Sequence, residues 1–142
     1  MNVPELIPIR YEPDYRTRTI GRWRGGQFFA SVTGAIGRPE CFAVLHRFDA
    51  AGRHLDSRIR STAAAEDARH LVAEWLDALP GRAYGDIAIA PFAVRVEGEL
   101  FGLVREESEE DDGEEGEDDG ICFELYPDGL GFHAPWDGCY DT

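Results

Sequence analysis

The sequence predicts an α+β domain in which two antiparallel β-meanders form the sheet and a single amphipathic helix packs on it. Two observations carry this expectation. On either side of residues 62–79 the chain is a succession of short apolar, β-branched and aromatic runs separated by Gly, Pro and Asp-Gly signals. Residues 62–79 themselves show a helical period, with Ala68, Leu71, Val72, Trp75, Leu76 and Leu79 on one stripe. Strands, one helix, then strands again is the order of a helix laid on an antiparallel sheet, not of alternating βα units. The length of 142 residues fits a single domain spanning 1–142.

The elements follow in order. The start is rich in proline, and Pro13 disfavours helix in the irregular stretch 11–15. Residues 16–23 (RTRTIGRW) are expected as a strand and join 27–36 (QFFASVTGAI) through Gly25-Gly26 as a hairpin. Residues 41–48 (CFAVLHRF) are strongly apolar and 53–60 (RHLDSRIR) alternate, which completes the first meander. Ser61 or Thr62 is the expected N-cap of the helix, because a hydroxyl there can accept from an unpaired first-turn N–H. Pro80-Gly81 terminates it. Residues 84–90 form a short strand cut by Pro91, and 92–97 with 99–105 form a hairpin around Gly98. Strands at 121–126 and 130–133, joined by an Asp128-Gly129 turn, end the second meander.

The charge is uneven. The chain holds 28 acidic residues against 14 basic ones, all arginine, for a net charge of −14. Residues 106–119 (EESEEDDGEEGEDD) carry 11 acids, and without them the net charge is −3. Such a run cannot bury apolar surface and repels itself, so a disordered insertion is expected there. Its acids lack the alternate spacing of an EF-hand loop. A strongly acidic chain also argues against general nucleic-acid binding.

Cys41, Cys122 and Cys139 are odd in number and lack zinc-site spacing. The first eight residues have no basic segment followed by an apolar stretch, and no apolar run approaches the roughly 20 residues of a membrane span. A cytoplasmic protein with reduced thiols and no membrane association is the expectation.

No catalytic, cofactor or metal signature stands out. There is no GxGxxG or GxxxxGK[ST] motif. Cys139 with His133 invites a nucleophile–base reading, but the spacing does not support it. His133 with Asp128, Asp137 and Asp141 offers imidazole and carboxylates, yet nothing in the spacing selects a metal. Two candidate surfaces remain. The tail places Tyr126, Asp128, His133, Trp136 and Asp137 in a Gly/Pro-broken stretch whose side chains must hold it in place. The same aromatics are better suited to sealing the open end of the sheet. Arg16, Arg18, Arg22 and Arg24 share a parity, so a regular strand would point them one way, either to grip phosphate or an acidic partner or, as the net charge of −14 favours, to face the protein's own carboxylates.

The segments IPIRYEPDYRTRTIG, FAVLHRFDAAGRHLDSRI, LPGRAYGDIAIAPFAVRVEGELFGLV and ELYPDGLGFHAPWDGCYDT resemble a family of small bacterial proteins labelled formate hydrogenlyase regulatory proteins. The resemblance covers nearly the whole chain outside the acidic run and the stretch at 37–40. It implies a soluble, non-enzymatic regulatory or adaptor protein acting through an unidentified protein partner, and it assigns no site residues. Two other functions fit the residues. An acidic α+β domain can neutralise a basic toxin as an immunity-type inhibitor. A pocket in the tail, with His133, Asp137 and an arginine converging, would instead indicate a small ligand-binding domain or hydrolase.

Overall fold

The computed structural model describes residues 4–34, 37–107 and 121–141. Eleven strands and one helix follow one another as β1 (Ile7–Ile9), β2 (Ile20–Trp23), β3 (Gly26–Gly34), β4 (Cys41–Phe48), β5 (His54–Thr62), α1 (Ala65–Asp77), β6 (Ala83–Tyr84), β7 (Ile87–Ile89), β8 (Phe92–Val96), β9 (Glu99–Glu107), β10 (Ile121–Tyr126) and β11 (Leu130–His133). The α+β class stands, but the strands make three sheets, not two meanders. These are a five-stranded sheet β5-β4-β3-β2-β6, a four-stranded sheet β11-β10-β9-β8, and a ribbon of β1 and β7. All pairings are antiparallel.

The layers follow from alternation along β3 and β4. Phe28, Ala30, Ala43 and Leu45 point to α1 and meet Ala68, Val72, Trp75, Leu76 and Leu79. Phe29 and Phe48 point the other way, into a core shared with Leu103, Phe123, Leu125, Leu130 and Phe132 of the four-stranded sheet. Phe42 and Val44 meet Phe101 on that same side. Because both faces of the five-stranded sheet are covered, β3 and β4 read as almost continuous apolar runs. The β1–β7 ribbon adds Ile7, Ile9, Ile87 and Ile89 to the larger core.

Several boundaries differ from the sequence expectation, each for a local reason. The strand expected at 16–23 begins only at Ile20. Before it the chain turns, with Tyr15 N–H donating to Glu12 O and Glu12 N–H to Thr17 O. Thr17 is fully buried, and its hydroxyl donates to Arg10 O at 2.7 Å, which locks the turn in place of a strand. The segment expected as one strand at 84–90 is two, because Tyr84 pairs with β2 while Ile87–Ile89 pairs with β1. Pro8 sits within β1, opposite Ala88, where a two-stranded ribbon tolerates a missing donor.

The helix is shorter than 62–79. Its N-cap is Ala64 and no side chain caps it. Ser61 and Thr62 are still in β5, opposite Phe42 and Cys41, and Thr62 Oγ1 donates to Ala64 O at 2.8 Å instead of accepting an N–H. Of the acidic run, Glu106 and Glu107 belong to β9, opposite Cys122 and Ile121; residues 108–119 lie outside the described residues.

Gly21 decides whether β6 can join the larger sheet. A Cβ on it would stand 2.1 Å from Ala83 O and 2.7 Å from Tyr84 Cα. Gly21→Ala is therefore expected to push β6 off β2 and to destabilise by about 1–3 kcal/mol, the range for overpacking. Denaturant unfolding checks this, and a stability within error of the parent would show that β6 is not closely packed.

Candidate functional site

The C-terminal residues do not converge. His133 is exposed, and its Nε2 faces Asp141 Oδ2 at 2.9 Å. Asp137 is a local cap that accepts the Cys139 N–H at 3.2 Å, and this bond holds its carboxyl below the ordinary aspartate range. The Cys139 sulfur is engaged by Arg10 Nη1 at 3.4 Å. Trp136 packs edge-on against Phe123 at 5.8 Å, which is the sealing role, although its buried Nε1 has no hydrogen-bond partner among the described residues. Tyr126 donates to Glu106 Oε2, and that bond, with burial, pushes its phenol up to about 12. Among the described residues, no three His, Cys, Asp or Glu side chains gather in a metal-binding group.

Asp128 alone leaves this set, and it joins part of the other. The arginine patch divides because residues 16–18 are a turn and not a strand. Arg22 and Arg24 lie exposed around the end of β2, and Arg24 N–H donates to Pro80 O at 2.8 Å. Arg16 and Arg18 turn into a cleft of about 570 Å³, which is the size of a small-molecule site.

The cleft exists because β2 is short. Ile20 is opposite Phe29, and the next contact is Ala30 N–H to Thr19 O at 2.9 Å. β3 runs on to Gly34, so its last residues have β4 on one side and, among the described residues, no strand on the other. The turn at 14–18, the helix, β6 and the β10–β11 turn close round this open edge. They contribute Arg16 and Arg18, Arg69, Arg82 and Tyr84, and Asp128, while β3 supplies Ser31 and Thr33.

The charged groups of the cleft fall into two classes. Arg82 is committed, donating to Leu76 O, pairing with Asp77 at 3.5 Å and lying 5.7 Å from the Tyr84 ring. Arg16 is also committed, donating to Asp128 O at 2.8 Å. Among the described residues, Arg18 and Arg69 line the cleft with no hydrogen-bond or ion-pair partner of their own. Both are exposed.

The acidic side is unusual too. Burial pushes the Asp128 carboxyl up to about 6, against the opposing influence of Ser31, the Arg16 charge and Thr33. The buried Ser31 hydroxyl, beside Asp128, favours the ionised form of that carboxyl. Ser31 is 9% exposed and lines the cleft. Tyr15 and Tyr84, two of the few large apolar side chains left exposed, also line the cleft.

A smaller cleft of 330 Å³ lies beside Trp75 and Leu79. Its charges satisfy one another, since Arg47 pairs with Asp56 and Arg58 lies 5.4 Å from the Trp75 ring.

Arg69, Arg82, Ser31 and Tyr84 were not singled out by the sequence. The one signal for Arg69 is its place a turn before Val72 and Ala73, on the border of the apolar stripe. Comparisons with protein-family models, curated proteins and solved structures find no match for the chain.

Proposed function

We propose that this chain is a regulatory domain that binds a small anion-bearing ligand in the cleft between α1 and the open end of β3 and acts through contact with a protein partner. The observation that carries the reading is the presence of two uncommitted guanidinium groups, Arg18 and Arg69, in one cleft of small-molecule size. Guanidinium groups suit carboxylates and phosphates because their planar donors match two oxygens at once. The regulatory role rests on the likeness to formate hydrogenlyase regulatory proteins. A cytoplasmic location fits the three free cysteines, and no helix among the described residues is long and apolar enough to cross a membrane.

The test is a thermal-shift panel of small carboxylates and phosphates, zwitterionic ones included. A ligand at a hundredfold excess over its Kd is expected to raise the Tm by roughly 5 °C or more. The shift should vanish in Arg18→Ala/Arg69→Ala, and recovery of a partner from the native host should change with the same variant. If no compound in the panel binds in a way that depends on these arginines, the reading fails.

A further inference from the structure

The cleft carries more than cations, and the additional groups restrict what fits it. β3 supplies main-chain groups. In an antiparallel pair successive residues turn their N–H and C=O to opposite sides. Ala30 turns its N–H to Thr19 and accepts the Thr19 hydroxyl on its C=O, both away from β4. Two residues on, Val32 must turn the same way, into the cleft that it lines. Among the described residues nothing pairs with the Val32 N–H or C=O, because β2 has ended by then. The cleft therefore offers one strand-edge donor, one strand-edge acceptor, two uncommitted cations, the desolvated carboxyl of Asp128 and, at its exposed rim, the carboxylate of Asp14.

The geometry points to a short peptide with free ends as the ligand: its carboxylate on Arg18 and Arg69, its main-chain amide on the Val32 edge, and its ammonium toward Asp128. This rests on the cleft being the binding site proposed above. A simple anion would engage the arginines alone and leave Asp128 and the Val32 C=O unmatched. A zwitterion with a peptide backbone answers the Val32 edge, the two arginines and Asp128, and adding a strand to an open edge is an established way of holding one. An ammonium beside Asp128 would also restore ionisation to a carboxyl that burial has made reluctant to ionise. Val72, Ala73 and Leu76 form the apolar wall for a side chain.

The experiment uses the full chain and saturation-transfer NMR with pooled apolar dipeptides. Four pools are compared: free at both ends, N-acetylated, C-amidated, and N-methylated at the peptide bond, with inorganic phosphate as the plain anion. The free pool should bind, and each modification should weaken binding by about tenfold, the loss expected when a charge-assisted or buried hydrogen bond is removed. Arg69→Ala should weaken the free and acetylated pools alike. Asp128→Asn should bring the free pool down to the acetylated one and leave the acetylated pool unchanged, which a merely misfolded variant would not do. If phosphate or an acetylated pool binds as well as the free peptides, with dependence on Arg69, the peptide assignment is overturned and the anion site stands. If no probe binds in an Arg69-dependent way, both are overturned.

Discussion

Lowering the pH from 7 to 4.5 is expected to cost the fold roughly 2–3 kcal/mol through His46 alone. His46 is 2% exposed, inside the layer between the two larger sheets. Its Nδ1 lies 2.7 Å from Ser57 Oγ, and His54 Nε2 lies 2.7 Å from the same oxygen. Phe92 closes the group, stacked on His54 at 4.5 Å and edge-on to His46 at 4.7 Å. A single hydroxyl proton serves two imidazoles only if one ring donates to Ser57 while the other accepts from it. Burial, and secondarily the charge of His54, brings His46 down from 6.5 to about 3. The folded pKa is thus below the unfolded one. The unfolded chain takes up the proton first, so stability is complete above pH 6.5 and is lost as the pH falls from there toward 3, at about 1.4 kcal/mol per unit. His54, also lowered by burial, adds loss in the same direction. Asp128 opposes them: its folded pKa of about 6 is above the ordinary 3.8, so the fold gains as the pH falls through that interval. Denaturant unfolding at both pH values should therefore show acidification costing more stability in Asp128→Asn than in the parent, and costing less, or even adding stability, in His46→Gln. An equal slope in the parent and His46→Gln would show that His46 titrates freely in the fold.

Trp75→Ala is expected to destabilise by about 3–5 kcal/mol, as a large aromatic leaving a core cavity does. Trp75 is 8% exposed and packs under β3 and β4 with Val72, Leu76 and Leu79. It also gives Arg58 an aromatic face at 5.4 Å, so the loss includes a cation–π contact. Glu74, its exposed neighbour on the same helix, is the control, and Glu74→Ala should stay within about 0.5 kcal/mol. Equal effects at the two positions would mean that the helix does not bury this face. Because Val72 and Leu76 line the cleft from the same helix, the Trp75 variant should also weaken ligand binding, whereas Glu74→Ala should not.

The candidate site was far less legible than the fold. Asp128, Arg16 and Arg18 drew attention from the sequence, but in two unrelated sets. Nearness in sequence groups Asp128 with His133 and Asp137, and the alignment of a regular strand groups Arg16 with Arg22. Neither reason survives folding. Asp128 sits on the turn between β10 and β11 while His133 ends β11 and pairs with Asp141, and the alignment of the arginines fails because the buried Thr17 makes a turn of residues 14–18.

Alternation and periodicity were enough to place β4, β10 and β11 at their observed bounds, to pair β8 with β9 around Gly98, and to select the buried stripe of α1. These are local signals: a residue's side of a strand or helix depends on its immediate neighbours and on one nearby core. Only the tertiary structure decided that Ile7–Ile9 is a strand, since a three-residue segment containing a proline is extended only because Ile87–Ile89 lies opposite it. It likewise decided that residues 84–90 serve two sheets, and that β3 outruns β2 and leaves Val32 facing a cleft. The cleft draws its walls from positions 14 to 128 of the chain. Contacts at such separation leave no period in the sequence, because what brings Arg18, Ser31, Arg69 and Asp128 together is the burial of other residues, in two cores that lie on opposite faces of one sheet.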